Sequence, residues 1–229
     1  MLVSHTHKFI FLKTRKTAGT SLEMLFQPFC TPSGHLVTER CEGLNTSFGI
    51  VGHRLLDAAS NAADAVRKFR AHLPADKIKE VLTKDQWNNY FWFTAVRNPF
   101  SRCVSGYYCE KAAYKLGIPE NFAALKRDFV SYLKSPSFQN DENVTHREGE
   151  FIIQDAIRFE TIHDDISRIA KKIGVEKDLA ELPVTKRLAS RETRRPTADY
   201  YLDEARELVL TQMKWVFEHY DYSTNPRDA

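Results

Sequence analysis

The sequence predicts an α/β protein in which a mainly parallel sheet is covered by helices on both faces. Three observations carry this reading. Two short runs, Phe9-Ile10-Phe11-Leu12 and Tyr90-Phe91-Trp92-Phe93-Thr94-Ala95-Val96, are apolar without alternation, as strands buried on both faces are. Between and after them lie stretches whose apolar residues recur every three or four positions, the mark of helices with one buried side. Both runs pass directly into turns rich in cations and hydroxyls, and ligands of open parallel sheets bind beyond the carboxyl ends of the strands.

The first strand leads into Lys13-Thr14-Arg15-Lys16-Thr17-Ala18-Gly19-Thr20-Ser21, after which Leu22, Met24, Leu25 and Phe26 mark a helix. Thr20 or Ser21 is the expected N-cap. Gly19 permits close approach of the backbone to a ligand. A helix N-terminus preceded by a loop of N–H groups, with Lys13, Arg15 and Lys16 beside it, suits a phosphate or sulfate group. In a Walker A loop the Lys directly follows the last Gly; here Lys16 precedes Gly19.

Gln27 to Ser47 is rich in turn residues and reads as irregular structure able to line a substrate cleft. Ser47 to Val51 reads as a second short strand, ending in Gly52-His53-Arg54, and an amphipathic helix is expected from Leu55 to Leu73, closed by Pro74. A short helical piece around Ile78 to Leu82 leads to the Tyr90 to Val96 strand. Asn98 and Pro99 then form a helix start, followed by a core stripe of Phe100, Val104, Tyr108 and Ala112. Asn121 to Leu133 reads as helix and Ser135 to Glu150 as a surface loop or lid. A strand at Ala156 to Phe159, a helix stopping at Gly174, a basic cluster of Lys186, Arg187, Arg191, Arg194 and Arg195, and one amphipathic closing helix from Ala205 to Tyr220 complete the chain.

The turn after the Tyr90 to Val96 strand carries a second set of candidates. Arg97 stands at the strand's end and Ser105 two helical turns on, sharing a face with Ser101, so that together they can clasp a second phosphate. The same residues also suit plainer roles, Arg97 pairing with a carboxylate and Ser105 packing against another helix.

These two motifs carry a family resemblance. The run Lys16-Thr17-Ala18-Gly19-Thr20-Ser21 resembles the 5′-phosphosulfate loop of the sulfotransferases, which binds 3′-phosphoadenosine 5′-phosphosulfate (PAPS). Arg97 with Ser105 resembles their 3′-phosphate site. The whole chain is similar to the PAPS-dependent sulfotransferase superfamily, particularly the branch of carbohydrate sulfotransferases. Arg158-Phe159-Glu160 and the ending Trp215 to Tyr222 also match recurrent segments of that branch. It departs in having Arg15 where a Pro often precedes the loop Lys, and Thr185-Lys186 where an Asn-Lys-Ser type segment often follows Leu-Pro.

The resemblance implies a three-layer α/β/α, P-loop NTPase-like fold and nucleotide binding by Arg15, Lys16, Thr17, Ala18, Gly19, Thr20, Ser21, Arg97 and Ser105. It implies Lys16 as the catalytic cation, PAPS as sulfuryl donor, no metal, and a hydroxyl or amine acceptor, with carbohydrate one candidate. His53, at a predicted strand's end, is the expected general base, because a neutral imidazole removes protons near neutral pH. The same His also suits a bond to the helix expected after it. Glu39 and Glu42 are alternative bases, with His35 behind them. A P-loop kinase or NTPase and a non-catalytic nucleotide-binding protein of the same fold are the competing functions; the position of Lys16 separates the chain from the first.

The 229 residues suffice for one buried α/β domain, and no Gly/Pro/Ser-rich linker divides them, so residues 1–229 are expected to form a single sulfotransferase-like domain. A net charge of +3 gives no general case for nucleic-acid binding. Cys30, Cys41, Cys103 and Cys109 form no metal pair or disulfide framework, which leads to the expectation of a reduced, cytoplasmic setting. No run is long and apolar enough to cross a bilayer.

Overall fold

The computed structural model describes residues 1–54, 69, 71–185 and 195–229. Within them the predicted strands lie side by side. Strands β1 (Leu2–Ser4), β2 (Phe9–Leu12), β3 (Leu44–Asn45), β4 (Gly49–Val51) and β5 (Phe91–Val96) belong to one sheet. Two short strands, β6 (His146–Arg147) and β7 (Glu150–Phe151), pair with each other, and β8 (Asp155–Arg158) completes the large sheet in the order β3-β4-β1-β2-β5-β8. β2, β5 and β8 are parallel neighbours, with Phe11 opposite Phe93 and Thr94 opposite Ala156. β1 runs against both β2 and β4, and β3 against β4, so four of the six strands share one direction.

Alternation along each strand sends neighbouring side chains to opposite faces, which is how unbroken apolar runs serve two cores. On one face Phe9, Phe11, Phe93 and Ile157 meet Leu22, Leu25 and Phe26 of helix α1 (Gly19–Phe26). Phe9, Phe11, Phe26 and Phe93 are fully buried, with ring centroids 5.2 to 6.2 Å apart. Burying each such ring contributes roughly 1.5–3 kcal/mol. On the other face Val3, Ile10, Leu12, Ile50 and Trp92 meet Ile78 of α2 (Ala75–Lys79), and α3 (Lys84–Asn89) adds Trp87 to that side. Helices α4 (Pro99–Ala113) and α5 (Phe122–Lys134) follow β5, and α6 (Glu142–Thr145) sends Val144 into the second core. α7 (Ile162–Lys172) returns to the first face through Ile166, Ile169 and Ala170, so helices cover both faces of the sheet. The last helices are α8 (Asp203–Gln212) and α9 (Lys214–His219).

The chain divides into two compact units, Met1–Val96 with Asp141–Lys186, which holds the sheet, and Arg97–Asn140 with Arg187–Ala229. In the second, Asn98 caps α4 as expected, its Oδ1 accepting from the N–H groups of Phe100 at 3.0 Å and Ser101 at 3.4 Å, and Pro99 takes the first helical position. Phe100, Val104 and Tyr108 of the predicted stripe are buried; Ala112, in the last turn, is exposed. Tyr108 and Tyr200 share a 2.6 Å hydroxyl bond within an aromatic core completed by Tyr107 and Phe129.

Several expectations are corrected. α1 begins at Gly19 with Ala18 in the N-cap position, so Thr20 and Ser21 lie inside its first turn and do not cap it. β1 and the edge strand β3 were not expected, both being too short for periodicity to reveal. The single closing helix is two, interrupted at Met213, whose φ of −104° and ψ of 19° leave the helical region. Beyond Asn140 the supposed lid is α6 and the β6–β7 hairpin, and its Asp141, Val144 and Thr145 are buried, the polar side chains of Asp141 and Thr145 being satisfied inside. Apart from residues 69 and 71–73, the helix expected over Leu55 to Leu73 lies outside the described residues, as does the basic cluster except Arg195.

Under the turn between β2 and α1 lies a buried charge cluster. Glu23, with no exposure, accepts from Lys13 Nζ at 2.6 Å and from the Met1 ammonium at 2.6 Å, and Arg54 Nη1 stands 4.0 Å away. Burial works to raise the Glu23 pKa, but the three cations outweigh it and hold the carboxyl at about 2, below its ordinary 4.5. A carboxyl with a depressed folded pKa adds stability above its unfolded pKa and loses it as the pH falls towards the folded one. Urea unfolding of the wild type is therefore expected to weaken between pH 4.5 and about 2. Glu23→Gln should flatten that dependence and cost roughly 3–5 kcal/mol at pH 7, since it strands buried cations; equal midpoints for variant and wild type at pH 7 would refute this.

Candidate active site

The turn from β2 to α1 is built around two left-handed residues. φ is 68° at Lys16 and 61° at Ala18, and is not positive at Arg15, Thr17 or Gly19. Such alternation turns successive N–H groups towards one concavity, a shape that receives anions. α1 extends it: its first helical bond runs from the Leu22 N–H to the Ala18 carbonyl at 3.1 Å, so the N–H groups of Gly19, Thr20 and Ser21 have no acceptor within the helix. Among the described residues no side chain caps this helix, and no acidic residue stands in its first turn, a helix end of the kind whose dipole favours an anion.

Beneath the turn, Lys13 is not the solvent-facing cation that the sequence suggests. It is buried, its Nζ donating to Thr20 Oγ1 at 3.1 Å as well as to Glu23. Gly19 is required for this, since a Cβ there would lie 2.7 Å from Lys13 Cγ and 3.3 Å from the Thr14 carbonyl; the close approach is to Lys13. Thr17 Oγ1 donates to the Thr14 carbonyl at 3.2 Å, and Ser21 Oγ lies 3.0 Å from Thr185 Oγ1. Thr20 accepts from Lys13 and so keeps its own proton to donate.

Arg15 is held by a residue that the sequence reading missed. Its backbone N–H donates to Asp141 Oδ2 at 2.8 Å and its guanidinium pairs with Asp141 Oδ1. Asp141 is itself left-handed, with φ 63°, and its carboxylate is fully buried. His72, also unforeseen, lies 2.8 Å through Nδ1 from the Lys13 carbonyl. Burial lowers the His72 pKa to about 3; Asp141 opposes that shift while Arg15 and Lys13 add to it, so the ring is neutral and Nδ1 carries the donated proton. Asn140-Asp141 before an apolar Val144 is a helix-start signal that points to α6, but nothing in the sequence places Asp141 against Arg15.

His53 is half-buried, and its Nδ1 lies 3.1 Å from the Phe69 carbonyl. A carbonyl only accepts, so the proton sits on Nδ1 and Nε2 is the basic nitrogen. Arg54, next in the chain, is buried and donates to Gln27 Oε1 at 2.5 Å and the Thr38 carbonyl at 2.8 Å. Among the alternative bases Glu39 is half-buried, while Glu42 and His35 are exposed. In the second unit Arg97 Nε donates to Ser101 Oγ at 2.9 Å, and Ser105 is buried one turn further along α4. Arg97 is thus laid along the helix face that carries both serines. Among the described residues, no three His, Cys, Asp or Glu side chains gather as a metal site, and no helix is long and apolar enough to cross a membrane.

No curated protein and no solved structure matches the chain. A family model does, along residues 1–223, and its span takes in the β2–α1 turn, His53, Arg97 and Ser105 alike. With nearly the whole sequence matched, the chain belongs to the sulfotransferase family.

Proposed function

We propose that the protein transfers a sulfuryl group from PAPS to a hydroxyl or amine of an acceptor molecule, carbohydrate being the class suggested by the branch it resembles. The observation that carries this reading is the concave turn at Lys16 and Ala18, which supports an anion at the start of α1. Bound PAPS would supply an activated sulfuryl group, and its 5′ end fits a cradle of N–H donors and hydroxyls. On this reading Lys16, with Arg15 beside it, and Thr17, Ala18, Gly19, Thr20 and Ser21 hold the 5′ end, while Arg97 and Ser105 hold the 3′-phosphate. The Lys16 ammonium stabilises charge that grows on the leaving oxygen during in-line transfer. His53 takes the acceptor's proton on Nε2, the nitrogen left basic by its bond to Phe69.

Residues 1–229 act in this proposal as one sulfotransferase-like domain in the cytoplasm. Supporting a reduced setting, Cys30, Cys41, Cys103 and Cys109 are free thiols, and burial raises the pKa of Cys30 and, to about 11, that of Cys103, which keeps both unreactive. Calorimetric titration separates the proposal from its nearest rival: adenosine 3′,5′-bisphosphate should bind more tightly than ATP with magnesium, and the reverse preference would replace sulfuryl transfer with a kinase or NTPase.

Arg97→Ala should weaken the bisphosphate about 10- to 100-fold, the worth of a charge-assisted hydrogen bond, and leave adenosine 5′-monophosphate nearly unaffected. Equal losses for both nucleotides would place Arg97 away from the 3′-phosphate.

His53→Ala should lower turnover about 10²–10⁴-fold at nearly constant nucleotide affinity. Should Glu39→Gln or Glu42→Gln abolish activity while His53→Ala retains it, the base is the glutamate.

Lys16→Ala should lower turnover about 10²–10³-fold with a smaller loss of binding, because its charge contact is stronger in the transition state. Lys16→Arg should restore little, a planar fork being a poor substitute for a compact ammonium. Sulfuryl transfer, bisphosphate affinity and thermal unfolding measured together test this, and a folded Lys16→Ala protein with wild-type turnover excludes the role.

A further inference from the structure

The arch that carries Lys16 is fastened from outside its own motif. Asp141, which follows the motif by more than a hundred residues, accepts the Arg15 N–H at 2.8 Å and pairs with the Arg15 guanidinium, so both its oxygens meet one loop residue. The Asp141 carboxylate is fully buried, whereas the Arg15 side chain is one third exposed. Left-handed backbone at a non-glycine residue persists where the surroundings over-determine it. Asp141 is left-handed with φ 63°, as is His72 with φ 57°, and His72 donates to the Lys13 carbonyl at 2.8 Å. The carbonyl at 13 and the N–H at 15 are thereby held, and the next residue is Lys16, itself left-handed.

A guanidinium is a natural bidentate partner for a phosphate group. Paired with Asp141, the Arg15 guanidinium is held in place beside Lys16 with part of its charge offset. We infer that Asp141 is a positioning residue for Lys16: through the Arg15 N–H and guanidinium it fixes the turn from which the Lys16 ammonium reaches the 5′ end of the donor. The inference rests on the sulfuryl-transfer reading above.

The test is a double-mutant cycle on the affinity for adenosine 3′,5′-bisphosphate, measured calorimetrically with Asp141→Asn, Lys16→Ala and the combination. If Asp141 positions Lys16, the loss caused by Lys16→Ala shrinks at least about threefold in the Asp141→Asn background, as coupled sites require. A buried residue that only stabilises the fold lowers the unfolding temperature and leaves the two losses additive. Should Asp141→Asn fail to fold, Arg15→Ala replaces it in the same cycle from the more exposed side of the pair. In that cycle Arg15→Ala, which keeps the N–H and lacks the guanidinium, should reproduce most of the lost coupling. Arg15→Lys, which keeps the N–H and the charge, should restore most of it. Additive losses in a protein that binds the bisphosphate overturn the inference alone; a wild type that does not bind the bisphosphate overturns the sulfuryl-transfer reading and the inference together.

Discussion

Three cations converge on the Glu23 carboxylate, and the β2–α1 turn owes its shape to that convergence. An unpaired ion in such a place costs several kcal/mol. Lys13, at the end of β2, therefore bends under the turn to reach α1, and in doing so fills the space where a side chain at position 19 would stand. With residues 13 and 23 tied together, the chain between them has to arch over Lys13. The left-handed residues Lys16 and Ala18 are the crown of that arch. A buried interaction thus shapes a surface feature above it.

Much of this was legible in the sequence, and the particular successes share a cause. Phe9 to Leu12 and Tyr90 to Val96 read as strands because burial on both faces removes the polar alternation that solvent would impose. Asn98-Pro99 read as a helix start because capping is local chemistry. What the sequence hid depends on pairing between distant segments. Lys13 looked like its neighbours Arg15 and Lys16, since only the fold reveals that Glu23 lies beneath it. Asp141 looked like a surface residue for the same reason, in a stretch whose polarity reports chain chemistry and not burial.

The loop motif therefore supplies only part of its own geometry. Its hydroxyls, carbonyls and N–H groups are fastened by His72, Ala95, Asp141 and Thr185, which come from four separate stretches of the chain. Placing a catalytic group within a fraction of an ångström demands supports of this kind around the residues that touch the substrate. A short motif defines the chemistry available, and the remote contacts define where its atoms stand.

The starts of α1 and α4 are finished differently. Asn98 closes α4 with its own side chain, while Ala18 offers α1 none and sits in a conformation that costs of order 1–3 kcal/mol. A side-chain cap at such a position is typically worth about 1 kcal/mol. On the proposed function, an anion bound at the first turn of α1 would do the work of that absent side chain, and folding and ligand occupancy would rely on the same N–H groups. Each tenfold rise in free ligand above its dissociation constant then adds about 1.4 kcal/mol to the unfolding free energy. On that proposal, the resistance of this protein to heat, and to the proteases that attack its unfolded chain, would follow the supply of its donor nucleotide.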